Sequence, residues 1–248
     1  MTLWRLELLR LGRTNRWAIL VGVYAFFGIT GPLTARYLGD IMGRFAGDIV
    51  FELPDPRPVD GIAQFLSNAT QIGLVAVVVV AAGALALDAR PEAAAFLRTR
   101  VVAARTLLWP RYSVVTAAAV LALVLGTAIA WVLTGALLGG LPVASMLLGT
   151  LFGALYLAFA VAVLAAVAGY TSGTVSMVFS GLVVLLVLPL IGLLPPIAPW
   201  LPSHLLGAAT AMIEGAPSSE FWRAVAVTVT ATPILLAVAA RRLEVREI

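Results

Sequence analysis

Charged side chains are confined to a few segments of this chain, and six long apolar runs, at residues 17–38, 62–87, 112–138, 143–168, 175–194 and 221–240, hold none but Arg36 and Arg223 near their ends. A helix needs about 20 apolar residues to cross the hydrocarbon core of a bilayer, so each run is long enough to span one. Apolar residues make up 62% of the 248 and charged residues only 11%. A soluble fold of this size cannot hide so large an apolar share from water. The sequence therefore predicts an all-α polytopic membrane protein with six transmembrane helices, in one membrane domain over residues 1–248.

The arginines set the expected orientation. Arg5, Arg10, Arg13 and Arg16 precede the first run, Arg90, Arg98, Arg100, Arg105 and Arg111 sit between the second and third, and Arg241, Arg242 and Arg246 follow the last. Arg36, Arg44, Arg57 and Arg223 fall on the other side. Basic residues stay on the cytoplasmic face of a membrane, so both termini and residues 88–111 are expected in the cytosol. Residues 1–16 carry Trp4, Leu8 and Leu11 at helical spacing, the pattern of a short interfacial helix on the inner leaflet. A signal peptide is the rival reading of the first 33 residues, but no A-x-A cleavage pattern follows. Residues 39–61, with PDPRP at Pro54–Pro58, read as an irregular outside loop. The prolines of LLPPIAPWLPSHLL forbid a regular helix, so residues 195–217 read as a broken-helix segment on the outer side, and the apolar stretch 205–213 is too short to span.

Much chemistry is excluded. The chain has no cysteine, a single histidine (His204) and no lysine, all 16 basic residues being arginine. Thiolate chemistry, histidine-cluster metal sites, a Schiff-base lysine and a standard P-loop are therefore absent. Neither a metal nor a cofactor is expected in this chain. The net charge of +4 does not indicate nucleic acid, since the arginines flank membrane spans, where topology and anionic headgroups account for them. The middles of the runs lack the ionisable groups of an ion-coupled transporter. They hold instead Asn68, Gln71, Thr127, Thr134, Tyr156, Ser176 and Ser180, candidates to line a path, although interhelical hydrogen bonding is the ordinary role of such residues. An intramembrane protease would need Ser172 and His204 in one site, and topology puts them on opposite faces, with His204 beside Trp200. Glycine spacings at Gly135–Gly139, Gly149–Gly153 and Gly169–Gly173 suit close helix packing.

Residues 88–111 are far longer than a tight turn. Pro91 suits a first helical turn and Glu92 its positive dipole end. Ala93, Ala94, Ala95, Phe96 and Leu97 propagate a helix well. Arg98 and Arg105 share a face, Arg100 lies nearby, and Phe96, Leu97 and Val101 offer an apolar patch. A short amphipathic helix over 92–105 that docks on a cytosolic partner is the expectation.

The chain resembles membrane subunits of ATP-binding-cassette exporters of the type-2 permease family. In that family the loop between the second and third spans reads roughly E-R-E-x-G-T-L-x-x-L-L-x-x-P-V-S-R, with a basic residue following. Here Asp88 and Arg90 occupy the charged opening, Phe96 and Leu97 the hydrophobic part, Arg100 to Arg105 the closing R-P-V-S-R, and Arg111 the later basic position. The family's Gly-Thr pair is missing, and Val101 stands where the family has proline. The broken hairpin after the fifth span resembles residues 195–213. The resemblance implies a coupling helix seated in a separate cytosolic ATPase subunit, which would hold ATP and Mg. It implies a second permease chain, identical or a sister, and export of an amphiphile such as a drug, lipid or peptide antibiotic across a bacterial cytoplasmic membrane. The permease itself would be non-catalytic. The alternative is a membrane scaffold or assembly protein that uses the same loop to hold another cytosolic partner.

Overall fold

The computed structural model describes residues 3–45, 55–86, 104–171 and 173–245. The described residues are helical with short turns between, and they contain six helices long and apolar enough to cross a membrane. That architecture is compatible with a multi-pass membrane protein.

The first element, α1 (Leu3–Arg13), precedes the spans. It stops at Thr14–Asn15, where Asn15 takes a positive φ of 51°. Asparagine is among the few side chains that tolerate that region. Thr14 caps the last turn, its hydroxyl donating to the Arg10 carbonyl at 2.8 Å. The chain then enters α2 (Arg16–Phe45), which runs past the predicted end of the first span at residue 38.

The second span is α3 (Pro58–Asn68), a π-helical turn (Ala69–Gly73) and α4 (Leu74–Leu85). Its start differs from the irregular loop expected through residue 61. Pro58 opens the helix, and the Asp60 carboxylate accepts the Arg57 backbone N–H at 2.7 Å. Proline is suited to a first turn, where its missing N–H costs nothing. The π turn is seated against Tyr24: a Cβ on Gly73 would come within 3.0 Å of the Tyr24 ring.

The third span starts earlier than expected. Helix α5 (Ala104–Leu137) includes Arg105 and Arg111 in its first two turns, so the end of the predicted loop is the base of a long helix. Helix α6 (Val143–Ala168) matches its predicted bounds, and α7 (Thr174–Ile191) and the final α9 (Trp222–Val245) follow closely. Between them the proline-rich segment forms 3₁₀ turns at Ala198–Trp200 and Pro202–Gly207, then the short helix α8 (Ala208–Ile213). It is a broken helix, as its prolines require.

Helix α6 is the centre: 61% of its best apolar window is buried, against 17% for α7. Its run from Phe159 to Ala166 is buried throughout, because it is apolar on every face and largely small, so neighbours approach from all sides. Gly181 of α7 sits directly on Leu164. Helices α2 and α5 pack just as closely through Gly28 and Gly126. A Cβ on Gly28 would lie 2.6 Å from the Gly126 carbonyl, and one on Gly126 would lie 2.7 Å from the Tyr24 carbonyl. Of the glycine pairs singled out in the sequence, Gly149–Gly153 packs as expected, against Ala209 and Leu123. Gly139 and Gly173 instead have positive φ, 120° and 87°, and form turns. Gly135 has nothing within 4 Å of a built Cβ.

The bundle has two distinguishable ends. At one, α1, the end of α4 and the start of α5 converge. The end of α9 is there too, since Arg242 donates to the Tyr170 hydroxyl at 3.1 Å, just beyond α6. The start of α9 and the proline-rich turns lie at the other.

Candidate functional site

The first candidate site is the convergence at the arginine-rich end. Glu7, Arg10 and Leu11 share one face of α1 and, with Thr14 just beyond it, line a small recess together with Ala84, Val114 and Val115. Glu7 is the only acidic residue before Asp40, and it is not at the surface. Its Oε1 accepts the Arg111 Nε–H at 3.0 Å, with side-chain exposures of only 16% for Glu7 and 10% for Arg111. Arg10 lies 3.6 Å from the other Glu7 oxygen.

Each of these two arginines also donates one bond to the end of α4. Arg111 Nη1 donates to the Ala84 carbonyl at 3.4 Å, and Arg10 Nη2 donates to the Gly83 carbonyl at 3.4 Å. The last carbonyls of a helix lack intrahelical donors and sit at the negative end of its dipole, so cations are favoured there. The Arg16 guanidinium stands at the same place, 2.8 Å from where a Gly83 Cβ would be. Glu7 thus joins Arg10 of α1 to Arg111 of α5, and Arg16 of α2 stands beside them at the end of α4. The carboxylate offsets part of their mutual repulsion, and the carbonyls stabilise the rest. This clamp ties α1 to both helices that bound residues 87–103.

The expected docking residues Glu92, Phe96, Leu97, Arg98, Arg100 and Val101 lie outside the described residues. Arg105 begins α5, but its side chain also lies outside them. The interfacial-helix residues divide. Trp4 and Leu8 face outward, 49% and 58% exposed, whereas Leu11 turns inward beside Val114 and Val115. The outward pair suits contact with a lipid surface. The pairing of Arg111 with Glu7 is what the sequence reading missed. Two signals were present: an isolated acid in a basic helix, and an arginine one residue after Pro110 at the edge of an apolar run.

A second candidate is a narrow cavity of about 30 Å³, room for two or so water molecules. Tyr24, Thr70, Thr127, Thr150 and Tyr156 bring hydroxyls to walls otherwise formed by Leu66, Leu123, Met146 and Leu205. The Thr127 Oγ1 and Tyr156 Oη are buried without a protein partner. The π turn forms one side of this cavity, and such turns recur at functional sites. Of the proposed path residues, only Thr127 and Tyr156 are brought together here. Thr134 is buried elsewhere, against Gly61. Asn68 and Ser180 are half-buried, and Gln71 and Ser176 are exposed on the outside of the bundle. Gln71 donates to Ser67 Oγ at 3.3 Å.

His204 lies in the same proline-rich turns as Trp200. It packs on Phe221 with ring centroids 5.1 Å apart, while Trp200 pairs with Trp222. Ser172 lies outside the described residues. Among the described residues no group of three or more His, Cys, Asp or Glu could hold a metal ion.

No protein-family model matches this chain, and no curated protein and no solved structure is significantly similar to it.

Proposed function

We propose that the chain is the membrane subunit of an ATP-driven exporter of the type-2 permease kind, in a bacterial cytoplasmic membrane, with the arginine-rich end in the cytosol. The clamp is the observation that carries this reading. Residues 87–103 leave α4 just after Ala84 and enter α5 just before Arg111, and those two residues are hydrogen-bonded to each other. A push on that segment from a cytosolic partner would move the two helices together, and Glu7 would carry α1 along. That is what a coupling helix over 92–105 requires of its base. With no lysine in the chain there is no standard P-loop, so the ATP, its Mg and the hydrolysis belong to a partner ATPase. The permease does no covalent chemistry of its own.

The outward polar groups support a second permease chain. Gln71 and Ser67 lie near the middle of the span Pro58–Leu85, both exposed. They bond to each other, but the rest of the Gln71 amide faces outward, and an amide in hydrocarbon costs free energy unless protein or water meets it. A partner chain on this face would place Ser67 and Gln71 between subunits, where an amphiphilic substrate would pass. The 30 Å³ cavity inside a single chain is too small to serve as that path.

The test is assembly with the ATPase. Arg98→Glu or Arg105→Glu is expected to weaken copurification with a cytosolic ATPase, or its stimulation, while the protein still inserts. Retention of a different, non-hydrolysing cytosolic protein through the same segment would favour a scaffold instead.

A further inference from the structure

At the proline-rich end, Trp200 and Trp222 stand edge to face with ring centroids 6.0 Å apart. The guanidinium of Arg223 lies 5.2 Å from the Trp200 ring and 5.6 Å from the Trp222 ring. Both indoles are about half exposed, and Arg223 is exposed. Among the described residues no carboxylate stands within ion-pair distance of Arg223. Arg57, at the same end, reaches Asp60 at 3.5 Å and Glu214 at 3.6 Å. A guanidinium held against ring faces keeps its N–H edges free, and those edges match a phosphate in bidentate fashion.

A second feature distinguishes a lipid from a free anion. Ala226, Val229, Pro233 and Ile234 follow Trp222 at helical spacing, and all are exposed. They form an apolar wall that descends along α9 from the arginine. Tryptophan favours the headgroup level of a bilayer, so the cation stands where a phosphate lies and the wall stands where acyl chains lie. Neither feature depends on the chain being a permease; both require only that its six apolar helices cross a bilayer.

We propose that Arg223, Trp200 and Trp222 form a binding site for the phosphate of an anionic glycerophospholipid, whose acyl chains lie along the outward face of α9. The two indoles position the guanidinium and cover one side of it, which strengthens the phosphate contact.

The experiment titrates the purified full chain in detergent with phosphatidylglycerol and counts bound lipids by native mass spectrometry. Arg223→Gln is expected to remove one bound lipid and to lower its apparent affinity about tenfold, the loss of one charge-assisted contact. Arg223→Lys keeps the charge without the stacked fork and should fall between the two. Arg36→Gln should change nothing. An unchanged lipid count in Arg223→Gln and Arg223→Lys overturns the proposal. In a second arm the deacylated headgroup, glycerophosphoglycerol, is added as competitor. Weak competition supports a lipid site, and competition as strong as that of the intact lipid overturns it in favour of a free-anion site.

Discussion

Replacing Glu7 with glutamine would leave Arg111 with no carboxylate partner in a site where only 10% of its side chain is exposed. Removing one member of a buried ion pair costs about 3–5 kcal/mol, because the survivor's charge stays desolvated. Arg111 keeps a 3.4 Å bond to Ala84, so the lower figure applies. About 3 kcal/mol shifts the docking equilibrium of α1 by about 150-fold. The chain has no cysteine, so a single cysteine at Leu11, which faces Val114 and Val115, reports docking by its maleimide labelling rate. That rate should rise steeply in Glu7→Gln. A double-mutant cycle with Arg111→Gln should give a coupling of about 2 kcal/mol, within the range for hydrogen bonds to charged groups. Glu7→Leu with Arg111→Met should restore much of the protection, since an apolar pair of similar volume needs no charge solvation. If Arg111→Gln has the same effect with Glu7 present as with it absent, the pair does not hold α1 and the clamp argument fails.

Further expectations concern the rest of the structure. Asn15→Val should loosen α1 by about 1–2 kcal/mol, because a β-branched residue resists a positive φ, whereas Asn15→Gly should be tolerated; the Leu11 labelling rate measures both. Gly126→Leu should separate α2 from α5, since even a Cβ there would meet the Tyr24 carbonyl at 2.7 Å, and a monodisperse detergent-solubilised species in normal yield would contradict it. Thr127→Val should change the melting temperature little, because its hydroxyl has no protein partner to lose; a large fall would show that it holds structure instead. Trp4→Ala with Leu8→Ala should weaken binding of a residue 1–16 peptide to anionic vesicles, as two outward apolar anchors are lost, and unchanged partitioning would count against a lipid-facing role.

The spans were legible because hydrocarbon admits only helices or closed barrels, and unbroken apolar runs of about 20 residues suit helices. Their ends were less so. Arg36 and the acids beyond it suggested that α2 stops near 38, yet it continues to Phe45: YLGDIMGRF holds no proline, and its two glycines weaken the helix without ending it. Pro58 looked like loop and is a helix start. Arg105 was read as the end of a separate short helix and Arg111 as loop charge, and both belong to α5. The Glu7–Arg111 contact joins residues 104 positions apart, and no local pattern encodes which arginine a lone glutamate will meet. Among the path candidates, residue type was readable from sequence but facing was not. Thr127 and Tyr156 face a shared cavity, while Gln71 and Ser176 face outward, and those directions follow from packing around α6.

The central claim is that residues 92–105 couple this membrane domain to a cytosolic ATPase, with the clamp as their base. The most direct measurement is ATP hydrolysis by the ATPase that copurifies with the full chain, reconstituted in lipid and compared between wild type, Arg98→Glu, Arg105→Glu and Glu7→Gln. Stimulation by the membrane subunit should fall in all three variants at equal insertion, most in the loop substitutions. Full stimulation in both Arg98→Glu and Arg105→Glu, or the absence of any copurifying ATPase, would contradict it.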